Sequence, residues 1–215
     1  MRKDLLIDWL ARQGQSLTDR QLTKLAKYQE LVLTAPMNLT AIKSDEDFAV
    51  KHFIDSLTLL PWLDELDENA CCIDIGTGAG FPGIPIKIAR PRLRITLLDS
   101  LQKRILFLRR AVEELGLEGV ECIHARAEDF VKKKSEAYDI VMARAVAKLS
   151  KLLEYAMPLV KKEGIFLAMK GPDVQEEIKD AKSALDKLGA VVENIDTVNI
   201  SQGMNHTIIG VRKKT

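Results

Sequence analysis

The sequence predicts an α/β fold in which an N-terminal helical cap precedes a seven-stranded, mostly parallel sheet with an antiparallel last strand. Up to about residue 60, apolar residues recur only at helical spacing. From residue 71, short apolar strands alternate with helices, which implies parallel strands joined by right-handed crossovers. The tail instead holds two strands with no helix between them, as an antiparallel hairpin does. We therefore expect a cap over residues 1–66 and a core over residues 67–215, packed as one compact unit.

The cap is predicted to contain three helices. Apolar residues at helical spacing define the first two: Leu5, Leu6, Trp9 and Leu10, then Leu22, Leu25, Ala26 and Leu33. Ser44, with Asp47 three residues later, resembles a capping box that begins the third helix. That helix is expected to run through Leu60 and to be ended by Pro61.

The core elements are predicted from apolar runs and the helical segments between them. Strands are expected near 71–75, 94–98, 119–123, 138–143 and 164–169, and helices near 82–90, 101–116, 148–160 and 174–188. The tail strands cover 190–200 and 205–214, joined by a turn around Gln202-Gly203. Because ligands of open parallel sheets bind at the carboxyl ends of the strands, the residues that follow each strand are the site candidates.

Composition limits the classes of protein and of partner. Hydrophobic residues make up 47% and charged residues 29%, which is ordinary for a soluble globular protein, and no apolar run is long enough to span a membrane. Asp8 and Arg12 come too early for a secretion signal, so a cytoplasmic location is expected. A net charge of +1 argues against bulk-charge binding of nucleic acid but allows a local basic face. The three cysteines have neither metal-ligand nor disulfide spacing, and no metal is expected.

A glycine-rich loop follows the first strand of the core. Residues 74–83, DIGTGAGFPG, fit the dinucleotide fingerprint, with Asp99 as the ribose-binding acid, and fit the Asp-x-Gly-x-Gly-x-Gly pattern of methyltransferases equally well. Pro82 and Pro85 suit a short, stiff helix start rather than a long phosphate-binding helix, and no second mononucleotide half is visible. These details favour S-adenosylmethionine. The methyltransferase pattern then assigns to the cofactor Asp74, Gly76, Gly78 and Gly80.

The later strand ends supply polar side chains. Asp99 can accept both ribose hydroxyls, and residues 126–129 open a short helix where a backbone N–H and a carboxylate can bind an adenine edge. Arg144 follows the fourth strand and can bind a guanine edge or a phosphate. Lys170 follows the fifth. No Asn/Asp-Pro-Pro-aromatic or Pro-Cys motif accompanies these cations. Methyl transfer to a ring nitrogen with an available lone pair needs no general base and suits such a cleft.

These residues resemble the bacterial RsmG, or glucose-inhibited division protein B, family, and the resemblance covers nearly the whole chain. The matching segments are MNLTAI (37–42), HFIDSL (52–57), DIGTGAGFPGIPIKI (74–88), LLDSLQKRILFL (97–108), RAEDF (126–130), ARAVA (143–147) and MKG (169–171). The resemblance implies a class I, Rossmann-like methyltransferase that transfers a methyl group from S-adenosylmethionine to N7 of a guanosine in 16S rRNA. The partner it implies is 16S rRNA or the small ribosomal subunit precursor. We expect no membrane partner and a monomer, although the sequence does not fix the oligomeric state.

The resemblance also assigns residues. The cofactor would be bound by Gly76, Phe81, Asp99, Ser100, Leu101, Ala127, Glu128 and Arg144. The RNA would be contacted by Asn38, Thr40, His52, Asp55, Ser56, Arg144 and Lys170, with Arg144 and Lys170 as the catalytic pair. His52, Asp55 and Ser56 lie at i, i+3 and i+4, so they share one helix face and could equally form an internal polar cluster. His124 and His206 match no functional position and are expected to be structural or surface residues.

Three other functions stay open at this point. A methyltransferase of the same fold could act on a small molecule or a protein, although the cations count against it. An NAD-dependent oxidoreductase is supported by the overlapping glycine spacing alone. A non-catalytic RNA-binding module could retain the fold.

Overall fold

A computed structural model describes residues 1–144, 147–201 and 203–214. Within these residues one seven-stranded sheet forms, in the order β3-β2-β1-β4-β5-β7-β6. The strands are β1 (Cys71–Ile75), β2 (Arg94–Asp99), β3 (Val120–His124), β4 (Tyr138–Arg144), β5 (Val160–Lys170), β6 (Ala190–Ser201) and β7 (Met204–Lys213). Strands β1 to β5 pair in parallel, and β7 is antiparallel to both of its neighbours. The predicted fold class is confirmed. Of the predicted turn at Gln202-Gly203, Gln202 lies outside the described residues.

The cap contains α1 (Lys3–Arg12) and α2 (Asp19–Leu33), as predicted, but its third helix differs from the prediction. That helix begins as α3 (Asp45–Phe48), widens into a π-helical segment (Ala49–Ile54) and ends as α4 (Asp55–Leu57). Ser44 caps it by accepting a hydrogen bond from the Asp47 backbone N–H at 3.1 Å. The expected end at Pro61 is wrong, because Pro61 lies in the first turn of α5 (Leu60–Asp64), where its missing N–H costs nothing.

The helices of the core lie where the sequence predicts them, with one shift. They are α6 (Gly83–Ala89), α7 (Gln102–Glu114), α8 (Ala127–Phe130), α9 (Leu149–Ala156) and α10 (Gln175–Lys187). Helix α9 ends earlier and β5 begins earlier than expected. Pro158 explains this difference, because a helix rarely continues through the residue before a proline.

The cap packs directly on one face of the sheet. Leu25 and Phe53 from the cap share a hydrophobic cluster with Leu97 and Met142 from the strands, and none of the four is measurably exposed. The other face of the sheet is covered by α9 and α10. The division at residue 66 remains a prediction, since cap and sheet bury their apolar residues together.

The cap also contacts the glycine loop through one buried hydroxyl. Tyr28 of α2 is fully buried and donates a hydrogen bond to the Ala79 carbonyl. A Cβ at Gly80 would approach the Tyr28 hydroxyl too closely, so the loop must carry a glycine there. No helix in the described ranges is both long and apolar enough to cross a bilayer.

Candidate active site

The loop between β1 and α6 presents bare backbone at the carboxyl end of β1. Gly76, Gly78 and Gly80 all have left-handed backbone, with φ of 68°, 62° and 101°. A Cβ at Gly78 would enter open space, since its nearest neighbour would be the Gly76 carbonyl oxygen at 4.0 Å. A ligand can therefore approach the loop at Gly78 more closely than any side chain would allow.

The buried Asp74 side chain holds this loop in place through hydrogen bonds. Its Oδ2 accepts hydrogen bonds from the Thr77 hydroxyl at 2.7 Å and from the Gly83 N–H at 2.9 Å. Burial raises the pKa of Asp74 to about 6, against the opposing effect of those two donors. Its Oδ1 is buried and has no partner among the described residues. The structure places Asp74 as a support of the loop, beneath the surface that a ligand would contact.

Asp99 connects the glycine loop to the next strand end. One carboxylate oxygen accepts the Gly78 N–H at 2.9 Å, and the other accepts the Leu101 N–H at 2.8 Å. Arg104 adds a contact of 3.3 Å. The side chain is only 3% exposed. The predicted ribose acceptor thus already fixes two loops, while Ser100 and Leu101 beside it are exposed.

A cavity of about 290 Å³ opens at these strand ends. Its wall brings together predicted residues from three strand ends: Gly76, Asp99, Ser100, Ala127 and Glu128. Two further wall residues, Lys151 and Tyr155 of α9, were missed by the sequence analysis. The Tyr155 hydroxyl donates to Glu128 at 3.1 Å, and the Lys151 ammonium lies 4.9 Å from the Tyr155 ring centroid. A lysine and a tyrosine four apart on the helix after β4 are the signal that could have found them.

A second cavity, of about 380 Å³, lies between the cap and the ends of β4, β5 and β7. Six of its eight lining residues are polar or charged, and the lining consists of Lys51, His52, Asp55, Arg144, Met169, Lys170, Gly171 and His206. Four of the residues assigned to RNA line it, from three separate elements. The sequence placed His52 and Asp55 on one face, and both contact Arg144 across 89 or more residues of chain.

Arg144 is held by three contacts with the cap. Its Nη1 donates to the Lys51 carbonyl at 3.1 Å and to Asp55 at 2.8 Å, and its Nη2 donates to Nδ1 of His52 at 3.3 Å. The guanidinium carbon also lies 5.2 Å from the centroid of the Phe81 ring. One Nη2 hydrogen and the Nε hydrogen have no acceptor among the described residues. Arg144 is therefore fixed in place with two donors to spare.

The hydrogen bonds of His52 define its protonation. Nδ1 accepts from Arg144, so the ring proton must be on Nε2, which donates to the Thr40 hydroxyl oxygen at 2.8 Å. Burial, with Arg144 nearby, lowers the pKa of His52 to about 4, so the ring is neutral at pH 7. The Thr40 oxygen also accepts the Ile42 N–H at 3.1 Å. Its own hydrogen is thus left to bind something else.

Two assigned residues are not available to a ligand in the expected way. The Ser56 hydroxyl is fully buried and donates to the His52 carbonyl at 2.5 Å, as in the internal polar cluster that the spacing also allowed, and its contact with RNA stays a prediction. The Phe81 ring is 3% exposed and stacks on His52 at 4.3 Å, so only its backbone can meet a cofactor.

Lys170 lines the second cavity, but its ammonium group is already bound. Nζ donates to the Ala147 carbonyl at 2.5 Å and to Glu177 at 2.7 Å, and the side chain is 9% exposed. The expectation that this charge faces RNA does not fit that geometry. Asn38, by contrast, is exposed. Within the described residues, no three His, Cys, Asp or Glu side chains cluster as metal ligands would.

The sequence is similar to known proteins of one family. Residues 21–207 match the GidB family, described as rRNA small subunit methyltransferase G. A protein of that name from Desulforamulus reducens is 47% identical over 93% of this chain and 85% of its own length. Another from Acetivibrio thermocellus is 44% identical over 98% and 88%.

Solved structures resemble the fold at low sequence identity. M. jannaschii TYW2, crystallised in complex with AdoMet, has a TM-score of 0.61 at 16% identity, over 80% of this chain and 79% of that one. A precorrin-6y C5,15-methyltransferase from Geobacter metallireducens has a TM-score of 0.56 at 18% identity, over 85% and 94%. At such identities the likeness concerns the fold alone.

Proposed function

The chain belongs to the rRNA small subunit methyltransferase G family, and on that premise we propose that it transfers the methyl group of S-adenosylmethionine to N7 of a guanosine in 16S rRNA. The observation that carries the proposal is the state of the second cavity. It holds a fixed arginine with spare donors beside a neutral histidine whose two nitrogens are both engaged. Guanine N7 already has its lone pair exposed, so its methylation needs no residue to remove a proton.

The first cavity and the glycine loop fit the cofactor. The open space at Gly78 admits a ligand against the backbone, and Ala127 and Glu128 offer a backbone N–H and a carboxylate for an adenine edge. Asp99 and the exposed Ser100 lie where ribose hydroxyls would bind. S-adenosylmethionine, when bound, supplies an electrophilic methyl group. We assign binding to these residues, to the backbone of Gly76, Gly80, Phe81 and Leu101, and to Asp74 through the loop it supports.

Arg144 would hold the guanine rather than activate it. Its spare Nε–H and Nη2–H can donate to O6, which leaves the neighbouring N7 lone pair directed at the methyl group. The unused hydroxyl hydrogen of Thr40, which contacts His52, would be a second donor to the RNA, and the exposed Asn38 would be a third contact from the cap. Asp55 and His52 would act indirectly, because both accept hydrogen bonds from Arg144 and hold it in place. Lys170 supports the segment after β4 through Ala147.

We further propose that the protein acts as a monomer, with cap and core as one unit. The shared hydrophobic cluster supports the single unit, because separating residues 1–66 from the core would expose apolar residues of both parts. A substrate of ribosomal RNA would place the activity in the cytoplasm.

Mapping methyl groups on 16S rRNA tests the function directly. Deleting the gene should remove one methyl group from one guanosine, because the proposed enzyme methylates a single position of the RNA. Mass spectrometry of rRNA fragments measures the loss, and cleavage chemistry specific for N7-methylguanosine locates it. Restoring the wild-type gene should restore the methyl group. An unchanged 16S rRNA in the deletion strain would refute the substrate.

Replacing Tyr28 with phenylalanine should weaken cofactor binding several-fold and lower the free energy of unfolding by about 1–2 kcal/mol. The change leaves the Ala79 carbonyl without its donor and loosens the loop at its contact with the cap. Calorimetry with S-adenosylmethionine and thermal unfolding measure the two effects. Tyr138→Phe is the matched control, since it removes another buried hydroxyl, bonded to Thr96 at 3.3 Å, away from the loop. Equal cofactor affinity in both variants would show that the Tyr28 contact does not shape the loop.

A further inference from the structure

His206 of β7 lines the second cavity and belongs to none of the motifs found in the sequence. It is buried and meets two residues of the cap from 148 and 151 positions away. Nδ1 contacts Oδ1 of Asp55, and Nε2 lies 3.0 Å from the Thr58 hydroxyl. The other oxygen of Asp55 binds Arg144. The four side chains therefore form one continuous chain from β7 through the cap to β4.

The direction of the Thr58 hydrogen bonds determines whether Nε2 of His206 carries a proton. Thr58 Oγ1 lies 2.6 Å from the Asp55 carbonyl oxygen, which has no hydrogen of its own, so Thr58 must be the donor there. A hydroxyl has one hydrogen. Towards His206 it can then only accept, so Nε2 of His206 must carry a proton and donate it.

The second ring nitrogen carries a proton as well. Burial alone would raise the pKa of Asp55, but Arg144, which donates to its Oδ2 at 2.8 Å, lowers it, so the carboxylate is ionised and can only accept. Nδ1 of His206 must therefore donate to Asp55. Both ring nitrogens are donors, which is the state of an imidazolium.

We propose that His206 is a positioning residue for the methyl transfer: as an imidazolium fixed by Thr58, it orients the Asp55 carboxylate, which in turn holds Arg144 against the substrate guanine. The proposal rests on the assigned function of the cavity. Each carboxylate oxygen of Asp55 is then bound to one cation, so the carboxylate cannot rotate towards one of them without losing the other. Lys51, His52 and Lys170 line the same cavity, with the Lys170 ammonium bound to Glu177 and His52 neutral. Within the described cavity wall, Asp55 is the one carboxylate that faces His206.

The proton count can be measured without any substrate. In the apo protein, long-range ¹H–¹⁵N correlation of the histidine rings at pH 7 should show His206 with both nitrogens protonated and His52 with Nε2 alone protonated. The variant His206→Gln lacks this ring, so the signal that disappears from its spectrum is that of His206. Thr58→Val should convert the His206 signal to a singly protonated ring, because the acceptor for Nε2–H is gone. Thr23→Val is the matched control: it removes a similar hydroxyl-to-carbonyl bond, to Asp19 at 2.8 Å, on the exposed side of α2. A singly protonated His206 in the wild-type protein would overturn the proposal.

Kinetics test the positioning role. In His206→Gln, kcat for methyl transfer should fall about tenfold, because a small misplacement of Arg144 costs rate in the bound complex. The KM for RNA and the Kd for S-adenosylmethionine should stay within about twofold, since the cofactor binds in the other cavity. An unchanged kcat, or a loss of cofactor affinity equal to the loss of rate, would refute positioning. If the wild-type protein itself fails to methylate rRNA, the assigned function fails, while the proton count of His206 stands or falls on its own.

Discussion

Replacing Gly78 with valine is expected to weaken the binding of S-adenosylmethionine by about 100-fold or more, equivalent to about 2.7 kcal/mol, while the protein stays folded. The Cβ of a residue at 78 would enter the open space where the loop offers its backbone. The two methyl groups of valine would fill that space further. No packed atom has to move to admit the Cβ, so the loss falls on the ligand.

A second effect of the substitution has to be separated from the first. Gly78 has φ of 62°, and valine is strained in that conformation by about 1–2 kcal/mol. Gly116→Val is the matched control, because Gly116 has φ of 56°, also faces open space, and lies at the far end of α7. Both variants should lose similar stability in thermal unfolding.

Calorimetry then distinguishes the possible ligands. Wild-type protein and Gly116→Val should bind S-adenosylmethionine equally, Gly78→Val should not, and none of the three should bind NAD. Binding of NAD by the wild-type protein would revive the oxidoreductase function. Undiminished affinity for S-adenosylmethionine in Gly78→Val would mean that the loop is structural.

Replacing Arg144 with lysine should lower kcat for rRNA methylation by about 100-fold and change the melting temperature little. A lysine can keep the ion pair with Asp55, so the buried carboxylate does not lose its partner, but it has no second nitrogen for His52 and no Nε–H for the guanine. The geometry of the donors is lost and the charge is kept. Arg144→Ala is the weaker test, since it also leaves Asp55 with one cation fewer in a buried place.

Arg90 supplies the control for this substitution. It forms a similar network, with an ion pair to Asp64 at 2.6 Å and a hydrogen bond to Gln15, on the outer side of the cap. Arg90→Lys should leave methyl transfer unchanged. Turnover and melting temperature, measured side by side for both variants, decide the result. A fall in melting temperature that matches the fall in rate for Arg144→Lys would make the role of Arg144 structural.

The sheet was predictable because its signals are local. Each strand is a short apolar run followed by a helix with its own periodicity, and such alternation permits few topologies. The glycine loop was predictable for the same reason, since its residues are contiguous. The predicted helix boundaries were wrong where a single proline determined them, as at Pro158 and Pro61.

The second cavity was predictable only in part. His52 and Asp55 share a short segment, and the sequence could place them together. The partner of Lys170 was not readable, because Glu177 lies on the following helix and several other acids were equally near in sequence. His206 carried no signal at all, since its partners Asp55 and Thr58 are brought to it by the docking of the cap on β7. The π-helical segment, which has no sequence signature of its own, was not predicted either.

The strand order has a consequence for the synthesis of this protein. Among the described strands, β6 pairs with β7 alone, and β7 is inserted between β6 and β5. Because β6 precedes β7 in the chain, β6 has no neighbour to bind until β7 has also left the ribosome. The same late strand carries His206 into the cavity. Translation therefore completes the sheet and the reaction site in a single step, and a nascent chain that stops short of β7 is both unprotected at its edge and inactive.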